Sequence, residues 1–558
     1  MYKKLRSIGL LIGLLAFSNF SEAQYAFDQL PFHSGNGYPR AQSMVVIDTF
    51  LYFTAADDTH GRELWISDGT MSGSRMVKDI FPGKDYSMTG NGSHFITAYN
   101  NKVYFTANDG TSGLELWVTD GTTNGTQLLK DIYPGALFSN PQHLTVYNGK
   151  LYFSANDGTN GTELWVTDGT TNGTQMLKDL EPGSNGSAPS QFTVYNGKMY
   201  FSAKGGIWET DGTVNGTQLA TITTTGSIFS GINIVGVFNN KLYFAANHNP
   251  VVPPNGMHGL WETDGTVNGT KYIKDISIYN LQKATIFNNK MYFAARENTN
   301  IPIGYELFAS DGTTAGTQMV KDINTAGASP SSYPDQFTVV GNQLYFEAND
   351  GVHGDEIWMT DGTTNGTKLV ADIMFDPHNP TRGSRPKNLT SFDNKLFFSA
   401  QDTTFKNDFW ISDGTVAGTK KLIAYDRTLF FRVDHDDVPF FICNNNLYFI
   451  GYHSPKGGDM LWKMTDTSTT TNISTTKKEY QITIAPNPAH DKVLLTFGES
   501  YEQAQVSITD LTGKVLLTQQ IDATKKQVEL TLPSVSTGIY LLNLQHKKGV
   551  ITQRLLIE

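Results

Sequence analysis

One unit written over and over constrains this chain more than any other feature. The stretch ELWVTDGTTNGTQLLKDIYPG, Glu115 to Gly135, returns almost letter for letter as ELWVTDGTTNGTQMLKDLEPG, Glu163 to Gly183. A Trp-x-x-Asp-Gly-Thr signature or close variant starts at Trp65, Trp117, Trp165, Trp208, Trp261, Phe308, Trp358 and Trp410, with a worn copy at Trp462. Upstream of these lie runs such as LYFTA from Leu51, VYFTA from Val103, LYFSA from Leu151 and LYFEA from Leu344. The spacing is about 50 residues, a period that belongs to solenoids, propellers and arrays.

One unit parses into four strands. Gln191 to Tyr195 reads as a strand, Asn196-Gly197 as a two-residue hairpin turn, and Met199 to Ala203 as the second strand. In the fuller copies a loop from Asn156 to Thr162 leads to a third strand, Glu163 to Thr167. The turn Asp168 to Thr174 then leads to a fourth, Gln175 to Leu180. The second strand is apolar on both sides, as a strand covered on both faces must be. Four-stranded units stacked face to face around an axis meet that demand. The expected fold is all-β: a β-propeller of eight to nine four-stranded blades, in which the last unit is the candidate for distortion.

The repeated turn has a complete structural explanation. Asp68, Asp120, Asp168, Asp211, Asp264, Asp311, Asp361 and Asp413 each precede Gly-Thr. There a short carboxylate accepts turn N–H groups, and the glycine adopts positive φ without strain. Calcium would need six to eight oxygens, whereas each turn supplies one acidic side chain; no metal and no other cofactor is expected. The tryptophans read as wedges between neighbouring blades. The Asn-Gly-Thr triplets at Asn124, Asn172, Asn215, Asn268 and Asn365 match a glycosylation sequon but sit where turns are needed.

The formal charge of −11 with no long basic run leaves no source of attraction for nucleic acid. Cys443 is the only cysteine, so no internal disulfide framework forms. Lys3, Lys4 and Arg6, the apolar run Ile8 to Phe17, and Ser21-Glu22-Ala23 have the pattern of a secretory signal peptide over residues 1–23. No later segment reads as transmembrane. The propeller is then expected over 24–466, a Thr-rich linker over 467–479, and a separate domain over 480–558.

On these motifs the repeat region resembles the ELWxxDGT repeat proteins, secreted bacterial propeller-like chains, from about Gln42 to Asp466. Units four and nine depart from the pattern: Gly205-Gly206-Ile207-Trp208 lacks the preceding Glu, and the last lacks Gly-Thr. The resemblance implies architecture and secretion and no defined chemistry.

In such a blade the constant turns share one face of the ring and the variable connections the other. Recognition is usually built on variable loops held by a rigid scaffold. The variable connections run from Phe81 to His94, Tyr133 to His143, Glu181 to Gln191, Asn324 to Gln336, Met374 to Asn388 and Tyr425 to Val438. Their Tyr86, Tyr133, Phe138, Tyr333 and Phe375, with Arg382, Arg385 and His435, are the candidate ligand contacts, suited to stacking on sugar rings or anchoring a protein. Loop aromatics also commonly do no more than cover blade ends. Asp434-His435-Asp436-Asp437 is the densest acid–base group, but no second cluster accompanies it and no catalytic residue is assigned. The expected function is binding of an extracellular glycan or protein by a monomer. The alternatives are a polysaccharide hydrolase or lyase, and a structural surface protein.

After the linker, seven short alternating segments between Gln481 and Ile557 predict a small Ig-like β-sandwich. Pro486-Asn487-Pro488, Asp510-Leu511-Thr512-Gly513-Lys514-Val515 and Gly538-Ile539-Tyr540 stand in order along it. On these the tail resembles the type A C-terminal sorting domain of the type IX secretion system, known in the Bacteroidetes. That resemblance implies handling by the type IX machinery, with Pro486, Asn487, Pro488, Asp510, Gly513, Gly538 and Tyr540 as motif residues. It further implies passage across the outer membrane, removal of the tail, and release or surface attachment.

Overall fold

The computed structural model describes residues 25–29, 44–57, 59–70, 72–83, 87–88, 96–220, 222, 228–249, 258–280, 284–298, 303–326, 330–376, 378–379, 381–422, 440–453, 458–466, 482–485, 491–497, 504–509, 515–522, 527–532, 538–546 and 549–557. The signal-peptide segment and the linker lie outside them. The described residues form strands and turns and no helix, so the chain is all-β. Its contacts divide it into two units, Met1–Thr467 and Ser468–Glu558.

In the first unit the described strands make nine antiparallel sheets. The sheet formed by Gln142–Tyr147, Lys150–Asn156, Thr162–Thr167 and Gln175–Lys178 shows the local logic. Asn148 and Gly149 both take positive φ, 46° and 67°, the turn whose twist matches a hairpin, and they set the pairing Tyr147↔Lys150. The apolar second strand is buried along its length, as its lack of alternation predicts.

Most successive sheets approach one another through their first strands, while the fourth strand lies at the far edge of each sheet. The last sheet packs back on the first: Cys443, Tyr448 and Leu461 share a core with Leu51, Phe53 and Trp65. This ninth sheet takes its fourth strand from the other end of the sequence, where Tyr25–Gln29 pairs with Gly458–Asp466 in the register Tyr25↔Asp466. The sixth sheet is irregular in another way: its first strand is split into Ile276–Tyr279 and Thr285–Phe287, both paired to Lys290–Glu297.

Each tryptophan, or Phe308, packs with side chains of the preceding sheet; Trp165 joins Tyr104, Leu116 and Val118, and Trp117 joins Tyr52 and Leu64. The Asp-Gly-Thr turn adds a second interlock. Asp168 Oδ1 accepts Thr170 N–H at 2.8 Å and the Thr170 hydroxyl at 2.7 Å, and these bonds hold its carboxyl below the usual range. Gly169, at φ +94°, leaves the space taken by the Tyr104 hydroxyl of the preceding sheet, which a β-carbon would meet at 2.4 Å. At Gly69 the corresponding hydroxyl is that of Tyr448, from the ninth sheet. The same Asp Oδ1–Thr pair of bonds recurs at Asp68, Asp120, Asp211, Asp264, Asp311, Asp361 and Asp413.

The described residues of the second unit form seven strands in two sheets. Ile482–Ala485, Lys492–Phe497 and Gln527–Thr531 form one; Val515–Ile521, Ala504–Thr509, Gly538–His546 and Gly549–Ile557 form the other. Val493, Leu495, Val506, Ile508, Leu530, Leu542, Leu544 and Leu555 close one core between them.

Candidate functional site

The connections from second to third strand, and from one sheet to the next, share one face, opposite the Asp-Gly-Thr turns. Buried carboxylates organise this face. Glu63, Glu115, Glu163, Glu306 and Glu356 open the third strands of their sheets and are fully buried. Glu115 accepts N–H bonds from Ile132 at 2.9 Å, Tyr133 at 3.3 Å and Ser139 at 3.1 Å, and the Ser139 hydroxyl at 2.5 Å. Glu163 does the same for Leu180, Glu181 and Ser187, Glu306 for Ile323 and Ser332, and Glu356 for Ile373, Met374 and Ser384. Loop backbone that would otherwise leave buried donors unpaired is fastened to the sheet it leaves. Burial pushes Glu63, Glu115, Glu306 and Glu356 up to about 7, against the downward pull of these hydrogen bonds.

The residue after the clamped serine occupies a recurring position. Asn140, Ala188, Tyr333 and Arg385 each take positive φ, between 44° and 52°. Each also donates its N–H to the carbonyl of the residue before the glutamate: Leu114, Thr162, Tyr305 and Asp355. A non-glycine residue there costs about 1 kcal/mol. The backbone is constant and the side chain is not, so this position displays a different group from each sheet at the start of an inner strand. Its signature is Ser-x-Pro, at Ser139, Ser187, Ser332 and Ser384. The glutamate is replaced by Gly206 in unit four, by Gly259 in unit five, by Asp408 in unit eight and by Met460 in unit nine. Asp408 pairs instead with Lys421.

The candidate contacts separate on this map. Phe138 and Phe375 stand out from the surface, 52% and 64% exposed, with no aromatic partner among the described residues. Tyr333 meets Tyr305 and Tyr279, with ring centroids 5.7 and 5.1 Å away. Arg382 lies over the exposed ring of Phe405 at 4.1 Å, and Arg385 fills the display position. Tyr133 is half-buried and its ring covers Gly158, where a β-carbon would meet it at 2.4 Å, so this side chain is engaged in packing. Tyr86, His435 and the rest of the Asp434–Asp437 group lie outside the described residues. So do Pro486, Asn487, Pro488, Asp510 and Gly513; Gly538 begins a strand, and Tyr540 is buried in the tail core. Among the described residues no group of three or more His, Cys, Asp or Glu side chains is arranged to hold a metal ion, and no helix is long and apolar enough to cross a membrane.

Residues 483–558 match the family described as secretion system C-terminal sorting domain. This match implies export through the type IX secretion system and attachment at the cell surface. No curated protein sequence matches the chain. Among solved structures, the chain is similar to a puromycin hydrolase (10% identity, 66% of this chain and 59% of that one, TM-score 0.34). A fungal alcohol oxidase of the AA5 family in complex with copper is matched at 10% identity over 95% and 98%, TM-score 0.34. A Mycobacterium tuberculosis puromycin-hydrolyzing peptidase is matched at 8% identity over 67% and 61%, TM-score 0.34. The chain thus spans less than two thirds of the two puromycin-cleaving proteins. Likeness this distant carries no functional argument.

Proposed function

We propose that this chain is an exported nine-bladed β-propeller of the ELWxxDGT repeat kind, followed by an Ig-like sorting sandwich, and that its clamped loop face binds an extracellular ligand, glycan or protein. The observation behind this reading is a contrast within the second, third, sixth and seventh sheets: the same glutamate–serine backbone clamp presents non-identical, exposed side chains, Asn140, Ala188, Tyr333 and Arg385. Rigid support with variable display is the arrangement from which binding sites are made. An enzymatic reading has less behind it, since Asp434–Asp437 is the densest acid–base group in the sequence and no second cluster with ligand spacing accompanies it there.

Two measurements test this. Incubation of the purified repeat region with a polysaccharide panel should give binding without new reducing ends or unsaturated products; turnover abolished by His435→Ala would replace the binding reading with a hydrolase or lyase. For the tail, a chain truncated after Lys478 should keep its thermal unfolding yet stay in the periplasm, while the native mature protein should begin near Gln24 and lack the tail. Mass spectrometry of medium and surface fractions decides it: normal export of the truncated chain would overturn the sorting role.

A further inference from the structure

Two exposed tyrosines and one half-buried tyrosine are brought together on the loop face beside the irregularity of one sheet. Splitting the first strand of the sixth sheet ends Ile276–Tyr279 on Tyr279, which a continuous strand would have carried onward. Tyr305 directly precedes the strand Glu306–Ser310, and Tyr333 fills the display position after the clamped Ser332, its N–H bonded to the Tyr305 carbonyl at 3.1 Å. The ring centroids lie 5.6 Å (Tyr279–Tyr305), 5.1 Å (Tyr279–Tyr333) and 5.7 Å (Tyr305–Tyr333) apart, the last pair stacked at 26°. Tyr279 and Tyr333 are 44% and 47% exposed. The guanidinium of Arg296, on the adjacent second strand, lies 4.9 Å from the Tyr305 ring centroid.

None of the three phenol hydroxyls has a hydrogen-bond partner among the described residues, and Arg296 has no carboxylate partner there. Packing does not explain the cluster: the same left-handed position is filled in other sheets by Asn140 and Ala188, which satisfy the backbone without a ring. A bulky residue held in an unfavourable backbone region, exposed, stacked on the half-buried ring of Tyr305 and met edge-on by the exposed ring of Tyr279 points to a use for the side chain. The ligand this surface suits has a flat apolar face, hydroxyls around its rim and an anionic group. The apolar face lies on the rings, the rim meets free phenols, and a planar cation already held by stacking takes a carboxylate in two parallel bonds.

We infer that Tyr279, Tyr305 and Tyr333 with Arg296 form a subsite for a uronic-acid residue of an extracellular polysaccharide. This inference rests on the loop-face reading above and gives that face a ligand class.

Isothermal titration of the full chain with polygalacturonate, alginate, amylose and galactan tests it. The uronate polymers should bind at least tenfold more tightly than the neutral ones. Tyr333→Asn, which installs the residue another sheet uses at this position, should weaken uronate binding at least tenfold with an unchanged melting midpoint; Tyr279→Ala should do the same. Arg296→Gln should remove the preference for uronate and leave whatever neutral binding exists. If the native chain binds a polymer and the tyrosine variants bind it equally well, the subsite is wrong while the loop-face reading stands. If no polymer binds the native chain, the sugar assignment falls and the face is left to protein ligands.

Discussion

Glu163 and Asp168 stand five positions apart on one strand-and-turn, and each uses a carboxylate to organise a connection. Their situations are opposite. Asp168 is exposed and bonds to Thr170, two residues along. Glu163 is fully buried and bonds to Leu180, Glu181 and Ser187, across a loop whose composition differs in every copy. The exposed acid shapes a turn that is the same everywhere; the buried one makes a changeable loop behave as part of the scaffold. In the five sheets that carry the glutamate, a loop can vary because a buried interaction beneath it fastens its backbone to the scaffold.

The sharpest way to break this contrast is to remove each acid in turn. Glu163→Ala should destabilise the repeat region by ~3 kcal/mol or more, because the N–H groups of Leu180, Glu181 and Ser187 and the Ser187 hydroxyl lose a carboxylate acceptor together. Chemical denaturation would show it, and a loss no greater than that of Asp168→Ala would refute the clamp.

Titration gives the next largest effect. Burial pushes the folded-state values of Glu115, Glu306 and Glu356 up to about 7, from the 4.5 of an ordinary glutamate carboxyl. Between those limits the folded chain holds protons that the unfolded chain has released, so stability is full below about 4.5 and falls as pH rises toward 7. The melting midpoint should therefore drop by several degrees from pH 5 to pH 8, and a rise across that window would contradict the assignment. The exposed turn acids, whose values are lowered, contribute nothing to this slope, since they titrate below it.

Asp168→Ala should cost only ~1 kcal/mol, the scale of a lost cap. Smallest of all, calcium or EDTA should leave the melting midpoint in place, as expected for turns whose carboxylates are satisfied by their own threonines. A large EDTA-induced drop would return the turns to the status of metal sites.

How much could be read from the sequence follows the same division. The LYF strands, the Asn-Gly hairpins and the Asp-Gly-Thr turn are written within a few adjacent residues, so strands, register and the inter-sheet tryptophans were legible. The glutamate clamp was not, since its glutamate and serine are separated by a loop whose composition changes between copies, 24 residues apart in three of them but 26 and 28 in the others; only the recurring Ser-x-Pro hinted at its far end. The split strand of the sixth sheet carries no local mark, and with it went the meeting of Tyr279, Tyr305 and Tyr333. Tyr333 and Arg385 were picked out as loop residues, but their shared backbone position depends on hydrogen bonds to Tyr305 and Asp355 that no spacing reveals.

The pairing of Tyr25–Gln29 with Gly458–Asp466 has a kinetic consequence. The first described strand is the partner of the last described one of the repeat region, so the final sheet must wait, with an unpaired edge, until both ends of that region are present. Loop-closure entropy makes such a contact slow to form, and an open strand edge is an invitation to pair with another chain. A chain that leaves the cell before it folds can delay that hazard; one that pauses on the way is exposed to it. The eight other sheets draw their strands from one stretch of sequence and can assemble early. This single seam sets when the molecule is finished, and chains trimmed beyond Gln29 should accumulate as soluble oligomers joined at that edge.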